Sequence, residues 1–240
     1  MRQLRDAIRR AGIDVRRTDV RSPLESYLGL LVDELHIQHV VDVGANTGQF
    51  GRSVRSRVGF SGRLDSYEPG REAYASLQAA AAGDPRWFTH HAALTTKAGP
   101  VTLHVFSSSD LSSLSEPSDV GRASVGFEAD WRSTAETVEG RKLDDEVLPD
   151  LGPTFLKLDT QGHDWTIIES APALLGRVEL LMTELSFVPL YESSVSAQTT
   201  IGHLDAMGFG LAHLEPIGRV SGGHALLEAD GLFVRRPRRV

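Results

Sequence analysis

The 240-residue chain predicts an α/β fold, a mostly parallel sheet with helices on both faces and an antiparallel hairpin near its carboxyl-terminal end. Three observations carry this expectation. The apolar run His39-Val-Val-Asp-Val breaks at Gly44-Ala-Asn-Thr-Gly48, and Phe50, Val54 and Val58 follow with helical period. Arg63-Leu-Asp-Ser-Tyr67 repeats the pattern: it ends in Glu68-Pro69-Gly70 and gives way to Tyr74, Leu77 and alanines up to Ala82. Phe155 to Asp159 then forms a buried-type strand broken at Gly162, with Trp165, Ile167 and Ile168 opening a helix, and Val178 to Thr183 forms another, closed by Glu184.

The remaining elements fit around this frame. Leu4, Ala7, Ile8 and Ile13 fall at roughly helical spacing among arginines, which predicts a short basic amphipathic helix. Ser22-Pro23 offers a helix start, and Leu24, Tyr27, Leu28, Leu31, Val32 and Leu35 give the next helix an apolar stripe to pack on a sheet. Residues 1–36 are therefore expected as a helical segment packed on the core, and 37–240 as the main domain. Trp87 to Ala93 reads as a third strand. Val101, Leu103 and Val105 alternate with Thr102 and His104, the period of a half-exposed strand continuing the same sheet. The serine-rich stretch from Ser107 to Ser118 reads as a loop, followed by irregular chain to Glu139. Ile201, Leu204, Asp205 and Met207 end a helix at Gly208, a left-handed stop. Phe209 to Leu214 and Gly231 to Val234 can pair as the terminal hairpin, before a basic tail, RRPRR, expected to fray.

Composition narrows the function. Asp and Glu total 32 against 25 Lys and Arg, a formal charge of −7, so no overall field attracts nucleic acid or anionic membrane, and a nucleic-acid partner is not expected. The absence of cysteine removes disulfides, thiolate zinc sites and cysteine nucleophiles, and suits a reducing compartment. No apolar stretch approaches the ~20 residues of a membrane span, and the start lacks a signal-peptide core, so the expected location is cytoplasmic. The basic amino-terminal helix and tail leave a peripheral membrane contact open.

In such sheets ligands bind beyond the carboxyl ends of the strands, where Asp42, Gly44, Glu68, Asp159 and Glu184 all fall. Gly44 and Gly48 permit a sharp turn and close ligand approach, and a carboxylate at Glu68, one strand further on, can accept both hydroxyl hydrogens of a ribose. Asn46 stands where a dinucleotide fingerprint needs glycine, and no Gly-Lys-Ser/Thr follows Gly48, which disfavours a pyrophosphate. An acid at Asp42 suits instead the ammonium or sulfonium of S-adenosylmethionine, held directly or through water.

The runs VVDVGANTGQFG, YEP at Glu68-Pro69, SSSDLSSL, KLDD at Lys142 to Asp145 and FLKLDTQGHDWTIIESA resemble the FkbM-type S-adenosylmethionine-dependent methyltransferases over most of the chain. The resemblance implies the Rossmann-like class I methyltransferase fold, with seven strands of which the last is antiparallel. It also implies methylation of a hydroxyl on a sugar, glycolipid or glycosylated natural product, or on a polyketide-type metabolite. It assigns Asp42, Gly44, Asn46 and Gly48 to the methionine moiety and its turn, Glu68 to the ribose, and Ala92 and Ala93 to the adenine. Ser112 and Ser113 fall in a segment able to close over the donor, and Asp159 and Gln161 beside the methyl group.

Methyl transfer needs an acceptor oxygen held in line and relieved of its proton. His163 is the first candidate base, with Asp159 and Glu184 as alternatives, either as bases or as oxygen ligands of magnesium or calcium. No residue is assigned to a metal, and the histidines lack zinc spacing. Asp164 can instead cap the helix from Trp165. Trp131, Trp165, Phe187 and an exposed Tyr191 are candidates to stack on an acceptor, between loops at 107–138 and 187–200. A nicotinamide-dependent oxidoreductase and a donor-binding scaffold without catalysis are the alternatives, and the sequence leaves oligomeric state open.

Overall fold

The computed structural model describes residues 22–106, 112–124, 133–146, 151–220 and 224–237. The expected helix over residues 2–17, Ser107 to Leu111 and Trp131 lie outside them. The main sheet has seven strands: β1 (His39–Val43), β2 (Arg63–Tyr67), β3 (Trp87–His90), β7 (Thr154–Leu158), β8 (Val178–Ser186), β9 (Phe209–Arg219) and β10 (Leu226–Arg235). Their spatial order is β3-β2-β1-β7-β8-β10-β9, parallel from β3 to β8, with β10 antiparallel to both neighbours.

Strand parity explains why both faces are covered. Val40, Leu64 and Phe155 point to one side, against Leu28, Leu31 and Val32 of α1 (Pro23–Glu34) and Leu77 and Ala81 of α3 (Arg71–Ala81). Val41, Val43, Leu156 and Leu158 point to the other, against Ile167 and Ile168 of α5 (Asp164–Ser170), Leu174 of α6 (Pro172–Leu175) and Leu204 of α7 (Ala197–Ala206). Each such side chain fully removed from water contributes about 1.5–3 kcal/mol. Between β1 and β2, α2 (Gln49–Ser53) continues through a π-helical turn, Val54–Val58. A capping box fixes the start of α1: Ser22 accepts the Glu25 amide and the Glu25 carboxylate accepts that of Ser22.

Five expectations are corrected. The alternating segment, β5 (Gly99–Phe106), leaves the main sheet and forms a second, three-stranded one in the order β4-β6-β5, with β4 (Ala93–Thr95) and β6 (Ser133–Lys142). The chain from Ser133 to Glu139 is thus a strand rather than irregular; its polar side chains face solvent, so no apolar alternation marks it. The third strand ends at His90, and Ala93 begins β4. The tail does not fray at its first residues: Arg235 donates to the Val178 carbonyl at 2.7 Å and Arg236 pairs with Asp205 at 2.9 Å. A short helix, α4 (Asp119–Ser124), follows the serine-rich stretch. Among the described residues no helix is long and apolar enough to cross a membrane.

Candidate active site

A cavity of about 450 Å³ opens at the carboxyl ends of β1, β2, β7 and β8, where strand order reverses between β1 and β7. Gly44 (φ +72) shapes its floor: a Cβ there would lie 1.9 Å from the Asp159 carbonyl oxygen, so only glycine lets the two strand ends meet. The turn is pinned by the Gly44 and Ala45 amides, both donating to the Tyr67 carbonyl at 3.0 Å. Asn46 adopts a left-handed φ of 46°. Its backbone amide donates to Glu68 Oε2 at 2.8 Å, and the Gly70 amide donates to Glu68 Oε1 at 2.8 Å. Each carboxylate oxygen keeps a second lone pair, so Glu68 is set in advance to accept two neighbouring hydroxyls. Burial pushes its pKa up to about 7. Ala92, Ala93 and Leu103, from the edge of the second sheet, form the apolar wall beside it.

Beneath the turn runs a buried polar row across four strands. Trp87 Nε1 donates to Ser66 Oγ at 3.0 Å, which donates to Asp42 Oδ2 at 3.2 Å; Asp42 Oδ1 pairs with Lys157 Nζ at 3.1 Å. Lys157 also donates to the Gly44 carbonyl at 3.0 Å and lies 3.5 Å from Asp159 Oδ2. Asp42 is 0% exposed and does not reach the cavity, so its effect on a ligand passes through Lys157 and the turn rather than through contact. Lys157 carried no sequence signal of its own, because a lone lysine in an apolar run reads as a stem reaching for water. Its register partner across β1 and β7 is Asp42.

At the opposite end, the Gln161 side-chain amide donates to Asp159 Oδ1 at 3.1 Å and to Glu184 Oε2 at 3.4 Å. Ser113, buried, donates to the Gln161 carbonyl at 2.7 Å, and Ser112 also lines the cavity. Glu228 and Asp230 of β10 complete this end and were not anticipated, since EADG reads locally as a turn. Glu228 Oε1 accepts from the Ser186 hydroxyl at 3.3 Å. Burial, and then Glu228, raises the Glu184 pKa well above the ordinary carboxylate range; burial pushes Glu228 and Asp230 up to about 7. Glu68, Asp159, Glu184, Glu228 and Asp230 line the cavity, and none of its described lining residues is Lys, Arg or His. Among the described residues no group of three or more His, Asp or Glu side chains is arranged to hold a metal.

Four residues lie elsewhere than expected. His163 is not among the cavity's lining residues; it precedes the first turn of α5, and burial lowers its pKa, holding the imidazole neutral. Gln161 (φ 54) and Gly162 (φ 88), both in the left-handed region, lie between Asp159 and His163. Gly48 starts α2 with φ +84 under Leu77, Ala80 and Trp87, outside the cavity. Asp164 does not cap a helix; it opens α5 and its carboxylate accepts from the Thr160 amide and hydroxyl, the Thr183 hydroxyl and the Glu184 amide, tying β8 to the loop. Tyr191 is buried rather than exposed.

The seven-stranded sheet with its antiparallel last strands is the class I methyltransferase fold. The chain belongs to the FkbM methyltransferase family: the methyltransferase FkbM domain matches residues 42–211. Among solved structures, it is similar to an FkbM methyltransferase from Methylobacillus flagellatus KT, with a TM-score of 0.51 and 16% identity over 82% of this chain. This chain spans 43% of that one. It is also similar to an rRNA methylase from Streptococcus thermophilus (TM-score 0.48, 11% identity, 90% of this chain and 97% of the other). A third is magnesium protoporphyrin IX methyltransferase from Synechocystis PCC 6803 with bound SAM (TM-score 0.42, 12% identity, 98% and 96%). Comparison with curated proteins gave no match.

Proposed function

We propose that the chain is an S-adenosylmethionine-dependent O-methyltransferase acting on a hydroxyl of a sugar, in a glycolipid or glycosylated natural product, or of a polyketide-type metabolite. The observation that carries this reading is a single cavity that joins an amide-held carboxylate beside a glycine turn, Glu68 and Gly44, to a second carboxylate pair bridged by Gln161. The cavity volume of about 450 Å³ falls within the range of small-molecule sites, and the floor at Gly44 has no room for a side chain. When bound, the donor supplies an electrophilic methyl group on a sulfonium.

The chain's own residues then have distinct tasks. Glu68 accepts the ribose hydroxyls, and the backbone around Ala92 and Ala93 holds the adenine against Leu103. Asp159, on the donor side, opposes positive charge. Glu184 receives the acceptor's proton, since its raised pKa makes it a stronger base than an ordinary carboxylate once ionised, and Gln161 keeps it aimed. The described lining offers no Lys, Arg or His to a phosphate backbone, which supports a non-nucleic-acid partner.

Calorimetric titration of S-adenosylmethionine and of NADH into wild type and Glu68→Ala tests the reading. Saturable uptake of the methyl donor that weakens at least tenfold in Glu68→Ala is the expected outcome. Uptake of NADH alone would overturn it in favour of an oxidoreductase. Donor uptake without transfer to any sugar or polyketide hydroxyl would leave a scaffold.

A further inference from the structure

The ammonium of Lys157 sits in the apolar layer between the sheet and α2, 5.5 Å from the Phe50 ring. It donates to the Gly44 carbonyl at 3.0 Å and forms ion pairs with Asp42 Oδ1 at 3.1 Å and Asp159 Oδ2 at 3.5 Å. For stability alone this is a poor arrangement, since an apolar pair of the same volume commonly packs as well as a buried ion pair or better. What an apolar pair cannot do is hold two ligand-facing elements at once. The Gly44 carbonyl belongs to the turn after β1, and the Asp159 carboxylate to the end of β7. The backbones already meet there: the Asp159 amide donates to the Val43 carbonyl at 3.1 Å.

We propose that Lys157 is a positioning residue of the methyl-transfer site, which ties the donor-binding turn to the Asp159 carboxylate. Asp42 and Ser66 serve this role indirectly, by holding the ammonium in place from the far side. The inference rests on the functional reading above for the identity of the ligand, and on the geometry alone for the coupling.

The test uses the double variant Asp42→Asn/Lys157→Met, which removes both charges together and so avoids stranding one of them in the core. Hydrogen exchange without ligand is the first arm: amides at 44–48 and at 159–162 are expected to lose protection together, while those of α7 keep theirs. The second arm titrates S-adenosylmethionine at neutral pH. The variant is expected to bind at least tenfold more weakly. Unchanged exchange in both segments, or wild-type affinity, overturns the proposal and leaves Lys157 as buried filling. If the wild type takes up no S-adenosylmethionine, the functional reading falls, and the exchange arm still decides whether Lys157 couples the two segments.

Discussion

The hydroxyl of Tyr191 donates to Gln161 Oε1 at 3.0 Å, which turns the Gln161 amide nitrogen toward Asp159 and Glu184. Without that donor, the amide could equally present its oxygen to the two carboxylates, an arrangement that repels. Tyr191→Phe is therefore expected to cost about 1 kcal/mol of stability in urea unfolding, because a partly buried carbonyl loses its donor. Affinity for S-adenosylmethionine should change less than threefold, while methyl transfer falls more steeply.

Removing the base separates the two candidates. Glu184→Gln is expected to lower methyl transfer by roughly 10²–10⁴, the usual contribution of a positioned base. His163→Ala should leave the rate within about threefold, since the imidazole does not line the cavity. Transfer of a labelled methyl group measures both, and a large loss in His163→Ala with little in Glu184→Gln would reverse the assignment.

Stability should fall as pH rises through neutrality. Burial raises Glu68, Glu228 and Asp230 to about 7, so the folded chain holds protons that the unfolded chain has already released above the ordinary carboxylate pKa. This stabilisation is complete below the unfolded pKa values and is lost as pH climbs through about 7. The melting temperature is expected to drop between mildly acid and mildly alkaline buffer, and Glu68→Gln should flatten part of that slope.

Gly44→Ala should be among the most damaging single substitutions. Its Cβ would lie 1.9 Å from a backbone oxygen at φ +72, where neither strand end has a flexible side chain to move. A loss of about 3 kcal/mol or more is expected in urea unfolding. Gly202→Ala, in α7 with nothing within 4 Å, is the control and should stabilise by roughly 0.5–1 kcal/mol.

What could be read from the sequence is what is local. Gly44 and Glu68 follow apolar runs directly, and the left-handed stop at Gly208 (φ 88) needs only its own neighbours. Strand order, by contrast, decides the rest. Lys157 acquires meaning only beside Asp42, and Asp230 only beside Glu184, pairs brought together by the register of distant strands. His163 shows the same limit: proximity along the chain to Asp159 suggested a shared site, and His163 is not among the residues that line the cavity. Strand β6 stayed hidden because a strand with water on one side and few apolar residues lacks the alternation that marks an edge against a core.

A cavity whose ionisable wall groups are all acids also sets the direction of traffic through it. Under the proposed function, a donor bearing a positive sulfonium is attracted by those acids that are ionised, and the thioether left after transfer, being neutral, loses that attraction.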